Sequence, residues 1–169
     1  ILLITITLLF KVAAAPFHFW APDVYEGAPL SSTIIFSILP KLVIFSFFIK
    51  WLCVISSLFY SIKDFFVVIG LFSVLIGTFF ALSQKRMKRL IVYSSIAQIG
   101  FLVAALETGS ISGFSSIFFF LVIYIISSIL IWNHLTLFYN FQKIGNFFSL
   151  KNISPFFLTS LSNLFKTNG

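Results

Sequence analysis

Two lysines, Lys11 and Lys41, stand in stretches with almost no other charge. Ten mostly apolar residues precede Lys11, a rise of roughly 15 Å as a helix, or about half of a ~30 Å hydrocarbon core. Lys41 stands eleven residues past Leu30, a rise of roughly 16 Å. Both ammonium groups are therefore expected near a bilayer midplane, where a lysine costs about 2.5–3.5 kcal/mol on insertion scales. Burial away from water favours the neutral amine over the ammonium. An amine at this depth is thus suited to take up and release a proton, which is the chemistry of a relay. The competing reading is structural, with each lysine paired to backbone carbonyls or lipid headgroups. Two lysines at matched depth favour the relay.

Three prolines flank these lysines. Pro16 comes five residues after Lys11, Pro22 follows it, and Pro40 directly precedes Lys41. Proline removes a donor and clashes with the preceding turn, leaving carbonyls that water or a cation can use. Pro16, Pro22 and Pro40 are therefore expected at helix breaks, with a packing kink as the alternative. Further polar groups could carry water between lysines and surface. Ser94, Ser95 and Gln98 fall within one sector of roughly 100°, and Tyr124, Ser127, Ser128 and His134 share a side at helical spacing. Such groups also serve as hydrogen-bonding glue between helices. His134 is a further relay candidate, because imidazole exchanges protons near neutral pH. His18, beside a proline, is expected to orient backbone or cap a helix.

The elements that must position these groups follow from composition. Of 169 residues, 60% are apolar, 20% aromatic and 9% charged, Phe alone supplies 25, and the mean hydropathy is +1.12. Soluble domains carry roughly a quarter charged residues, so that class is excluded. Strict apolar–polar alternation is nowhere sustained, which argues against a β-barrel. The expected fold is all-α: a polytopic transmembrane bundle of about five helices with a broken first helix. The spans are residues 1–29 (helical to Ala15, then irregular or half-helical), 30–52, 64–82, 86–105 and 111–139. Gly70 and Gly77 offer close helix approach. Residues 140–169 form a polar tail whose 156–165 segment is expected to be a short interfacial helix.

The net charge of +7 comes from 11 basic and 4 acidic residues. Basic residues flanking apolar spans report topology rather than nucleic acid. Lys85, Arg86, Lys88 and Arg89, with Lys143 and Lys151, fall on one side against Lys50 and Lys63 on the other, six to two. The single Cys53 rules out an intrachain disulfide framework and reads as a packing residue. No basic start or cleavage site marks a signal peptide, and the chain is expected to begin inside a helix, with part of the protein missing or carried by another polypeptide. No dinucleotide or P-loop motif and no haem or iron–sulfur ligand set occurs, so no cofactor is expected on this chain. Asp23, Glu26, Asp64 and Glu107 are the only acids and lie near expected helix ends. A carboxylate partner for either lysine is therefore expected from another chain or segment.

The stretch Lys11-Val-Ala-Ala-Ala-Pro-Phe-His-Phe-Trp-Ala-Pro-Asp-Val-Tyr-Glu-Gly-Ala-Pro29 closely resembles subunit 2 of respiratory NADH:ubiquinone oxidoreductase, complex I. So do Leu39-Pro-Lys-Leu-Val-Ile-Phe45 and Met87-Lys-Arg-Leu-Ile-Val-Tyr-Ser-Ser-Ile-Ala-Gln-Ile-Gly100. The resemblance covers most of residues 1–107. It implies part of an antiporter-like fold in the proton-pumping membrane arm, spanning that subunit's seventh to eleventh helices as a fragment or split form. Lys11 would lie on the broken seventh helix and Lys41 would be the connecting lysine of the eighth. The basic turn would face the mitochondrial matrix, the protein lying multi-pass in the inner membrane among lipids and other membrane-arm subunits.

A partner chain or segment would supply two elements absent here, an earlier helix with a glutamate and a later helix with another lysine. The chain would serve a proton-translocating NADH:ubiquinone reductase, with FMN, iron–sulfur clusters and ubiquinone held elsewhere in the complex. The Phe, Ile, Leu, Ser, Asn and Lys bias fits an AT-rich mitochondrial genome. Two rival readings are a subunit of a multisubunit cation/proton antiporter and a structural scaffold with vestigial lysines.

Overall fold

The computed structural model describes residues 2–54 and 63–147. Among them all regular structure is helical: α1 (Leu2–Val12), α2 (Trp20–Gly27), α3 (Leu30–Val54), α4 (Lys63–Ser83), α5 (Met87–Ala105), a 3₁₀ turn (Leu106–Thr108) and α6 (Ile111–Phe147). Four stretches are long and apolar enough to cross a membrane: Leu30–Val54, Lys63–Ser83, Met87–Thr108 and Ser112–Asn140. At most 44% of each apolar window is buried inside the chain, so most of each apolar surface is turned outward. The fold is the expected all-α polytopic transmembrane bundle, with α1 and α2 as the two halves of a broken helix.

Helices α4 and α5 form the tightest pair, because glycines let their backbones touch. A Cβ added to Gly77 would lie 2.6 Å from the Ala97 nitrogen, and one on Gly100 would lie 2.7 Å from the Gly70 oxygen. Around this pair a single apolar cluster joins Leu9 and Val12 of α1, Phe45 and Phe48 of α3, Phe66 of α4, Val103 of α5 and Leu121 of α6.

The first helix stops at Val12 rather than running to Ala15. Ala13 takes a left-handed conformation, φ 63°. Its N–H donates to the Phe10 carbonyl, and the Ala14 N–H donates to the Leu9 carbonyl, both at 3.0 Å. These are the paired bonds of a Schellman ending, which satisfies two carbonyls the helix would otherwise orphan. The left-handed turn costs an alanine roughly 1–2 kcal/mol, and the residue before a proline is in any case disfavoured in a helix.

The break is then anchored from outside. The Ala15 N–H donates to Ser73 Oγ at 2.8 Å, and Ser73 Oγ donates to the Ile69 carbonyl at 2.7 Å. Ser73 is fully buried. Ser73→Ala is expected to leave the Ala15 N–H without a partner at a cost of about 1–3 kcal/mol. A lowered thermal midpoint of the assembled protein, spared by Ser73→Thr, is the measurement that checks it.

Of the three prolines expected at breaks, Pro16 alone lies in one. Pro22 sits in the first turn of α2, where no intrahelical donor is needed. Pro40 lies inside α3, which continues through it. The carbonyl that loses its helical donor there is that of Phe36, and the Tyr25 hydroxyl donates to it at 3.0 Å. One borrowed hydrogen bond thus keeps α3 whole.

The last helix runs past Tyr139 to Phe147, so residues 140–147 are helical rather than tail. No proline intervenes there, and polar residues carry a helix beyond an apolar span without penalty. The interfacial helix expected at 156–165 lies outside the described residues.

Candidate functional site

Lys41 lies at the middle of the 25-residue α3 and is 5% exposed. Its Nζ donates to the Tyr124 hydroxyl at 2.6 Å and to Ser95 Oγ at 3.1 Å. Each hydroxyl in turn donates a hydrogen bond to a backbone carbonyl, Ser95 to that of Val92 at 2.7 Å and Tyr124 to that of Ser37 at 3.4 Å. Nζ also stands 5.0 Å from the Tyr124 ring centre, a favourable place for a cation. Among the described residues no carboxylate reaches Lys41 or Lys11 within ion-pair distance. Lys41 is therefore a buried amine solvated by neutral hydroxyls.

Lys11 lies in the last turn of α1, at the negative end of the helix dipole where a cation is favoured. It is exposed on the surface of this chain. Both lysines line one cavity of about 250 Å³. Its other walls are mostly apolar, from Val12, Trp20, Val24 and Ile96 among others. A second cavity of about 20 Å³ is lined by Ser37, Ser94, Ser95, Gln98, Tyr124 and Ser128. That is room for about one water molecule, with enough polar partners to hold it. Tyr25 and Ser95 line both cavities, so Lys41 and its hydroxyl partners stand at the junction.

The polar groups singled out on α5 and α6 are brought together here, with two exceptions. Ser127 donates to the Tyr124 carbonyl of its own turn at 2.9 Å, and His134 is exposed and lines neither cavity. His18 is buried in the break against Phe19, Phe80 and Tyr93, also outside both cavities. Cys53 is exposed rather than packed. It lies on the outward face of an apolar helix, where a small apolar-like side chain serves as well as in a core.

An ion-pair cluster links the break to the basic turn. Glu26 pairs with Arg86 and Arg89, and Asp23 pairs with Arg89. Lys88 Nζ donates to the Ala28 carbonyl at 3.0 Å and the Glu26 carbonyl at 3.4 Å. The six-to-two charge count could place both groups on one side of the membrane, but carried no pairing information. Among the described residues no group of three or more His, Cys, Asp or Glu could hold a metal.

Four helices long and apolar enough to cross a membrane, a broken helix and a buried mid-helix lysine beside two small cavities make this a membrane-intrinsic helical bundle. The sequence model of the NADH:quinone oxidoreductase/Mrp antiporter transmembrane family matches residues 1–168, and the chain belongs to that family. It is 38% identical over 154 residues to NADH-quinone oxidoreductase subunit N 1 of Thermodesulfovibrio yellowstonii, covering 90% of this chain and 33% of the relative. It is 44% identical over 133 residues to NADH-quinone oxidoreductase subunit N of Wolbachia sp. subsp. Brugia malayi, covering 76% and 28%. With NADH-ubiquinone oxidoreductase chain 2 of Metridium senile the identity is 37% over 128 residues, covering 76% and 31%. The chain spans about a third of the length of these relatives.

Proposed function

We propose that the chain is a non-redox membrane-arm component of proton-pumping NADH:ubiquinone oxidoreductase, corresponding to the seventh to eleventh helices of subunit 2. In this reading Lys11 and Lys41 relay protons, driven by electrostatic changes from quinone reduction elsewhere in the complex. The observation that supports it most is the buried Lys41 amine, held by two hydroxyls and lining a cavity together with Lys11. A proton leaves the Lys41 ammonium for a water in the adjoining cavity, which becomes hydronium and passes the proton on, while the Ser95 and Tyr124 hydroxyls, themselves donating to backbone carbonyls, hold the amine in place. The neutral amine left behind is then reprotonated from the Lys11 side. Transfer from the Lys11 side would run through water in the cavity that both lysines line.

Lys11 in this reading meets a carboxylate from an earlier helix, a later helix supplies another lysine, and other membrane-arm subunits and lipids surround the bundle. The location we assign is the mitochondrial inner membrane, supported by the residue bias of the chain. His134, exposed on α6, is kept as a secondary relay candidate. Lys11→Ala in the complete complex is expected to lower the number of protons moved per NADH oxidised, with assembly retained on native gels. An unchanged ratio in the assembled variant overturns the relay role.

A second reading is favoured by the breadth of the family description, which joins oxidoreductase subunits with Mrp antiporters. A cation/proton antiporter subunit would show sodium-dependent proton exchange without flavin or iron–sulfur partners. Co-purification with such partners decides for the oxidoreductase. Full activity after neutralising both lysines would instead identify a scaffold.

A further inference from the structure

Helix α2 has 8 residues, fewer than the ~12–15 at which an isolated helix becomes even marginal. Something outside it must hold it in place. At its start the Trp20 indole N–H donates to the Phe10 carbonyl at 3.0 Å. Along its length Ala21 and Tyr25 pack on Val92 and Ile96 of α5. At its far end three of the four cations in the 85–89 turn converge on it. Arg86 and Arg89 share the Glu26 carboxylate, Arg89 also takes Asp23, and Lys88 caps the Glu26 and Ala28 carbonyls.

Single exposed ion pairs contribute little, about 0–1 kcal/mol, and Asp23, with 72% of its side chain exposed, falls in that class. Glu26 differs: its side chain is 15% exposed and it serves two guanidiniums. Lys88 adds an ammonium at the negative end of the α2 dipole, on carbonyls that have no helical donor.

What α2 carries gives this cluster its consequence. Tyr25 donates to the Phe36 carbonyl left open by Pro40, five residues before Lys41, and it lines both the cavity that Lys41 lines and the smaller one beside the lysine's hydroxyl partners. We propose that Glu26, Arg86, Arg89 and Lys88 are positioning residues: a clasp that seats α2 on α5 and, through Tyr25, sets the stretch of α3 bearing Lys41. Its effect on proton transport rests on the relay reading above; its effect on structure does not.

The test uses the complete membrane complex carrying Glu26→Ala, the milder Glu26→Gln, the exchanged pair Glu26→Arg with Arg86→Glu, and Lys85→Ala as a control. Lys85 is exposed and outside the cluster, so its loss removes a topology charge but no clasp. Two readouts are independent of proton transport: deuterium uptake by the backbone of residues 21–28, and acetylation of Lys41 by acetic anhydride, located by mass spectrometry. In Glu26→Ala both are expected to rise about tenfold, as for loss of a local ordering interaction, while uptake in α4 stays constant.

The exchanged pair restores both readouts only in part, because Arg89 loses the Glu26 carboxylate and keeps Asp23 alone, and Lys85→Ala leaves both unchanged. If Glu26→Ala does not assemble, Glu26→Gln is expected to show the same changes at smaller size. Unchanged uptake in an assembled Glu26 variant, or raised uptake with Lys41 labelling unchanged, overturns the proposal. An effect of Lys85→Ala equal to that of Glu26→Ala overturns it as well. Loss of pumping in Lys41→Ala bears only on the relay reading, so the two failures are distinguishable.

Discussion

Lys41→Ala is expected to cut proton translocation roughly 10²-fold, the scale of a lost proton-transfer group, without unfolding the protein. The fold should tolerate the change because Lys41 is costly where it stands. An ammonium near the centre of a membrane helix is disfavoured by about 2.5–3.5 kcal/mol, and its removal relieves that cost. The hydroxyls it leaves keep their own acceptors, since Ser95 donates to Val92 and Tyr124 to Ser37. The remaining loss is packing volume, which Lys41→Met conserves. Both variants should therefore assemble, Lys41→Met with a thermal midpoint equal to or above the parent's and Lys41→Ala below Lys41→Met by the cost of its cavity, and both should fail in proton pumping measured against NADH oxidation. Retained pumping in assembled Lys41→Met would show that the amine is not on the path.

Gly77→Leu should have the largest structural effect. Its Cβ would meet the Ala97 backbone nitrogen at 2.6 Å, and backbone cannot swing aside as a side chain can. Overpacking costs about 1–3 kcal/mol where a core can adjust, and here two whole helices must separate. Separation would also draw Ser73 away from the Ala15 N–H and carry α5 away from α2, so the damage spreads to the break. The expected outcome is little or no assembled protein on native gels and rapid proteolysis of what remains. Gly27→Ala is the matched control: a Cβ there meets nothing within 4 Å, and its assembly should equal the parent's.

The helices were legible because hydropathy alone marks membrane spans, and both lysines stood out because charge is rare in such spans. Residue counting set Lys41 in the middle of its helix, where it lies. The partners of Lys41 were not legible. They come from 54 and 83 residues away, and nothing in helical periodicity says which of several serines and tyrosines will face a given amine. Spacing alone also does not sort the residues of one helix side: His134 shares a side with Tyr124, yet is exposed and does not line the cavity that Tyr124 lines. Pro40 misled because a lost hydrogen bond reads as a break unless a donor is supplied from elsewhere, and Tyr25 supplies it across 11 positions of chain. The end of α1 at Val12 rested on a left-handed alanine, a conformation sequence patterns assign to glycine.

The Tyr25 bond has a bearing on motion. Any swivel of α2 that withdraws the phenol strands the Phe36 oxygen among apolar side chains, and a stranded acceptor in a medium without donors costs several kcal/mol. A water in the cavity that Tyr25, Phe36 and Lys41 line together is the natural replacement donor, so the freedom of the half-helix to shift depends on how well that space is hydrated.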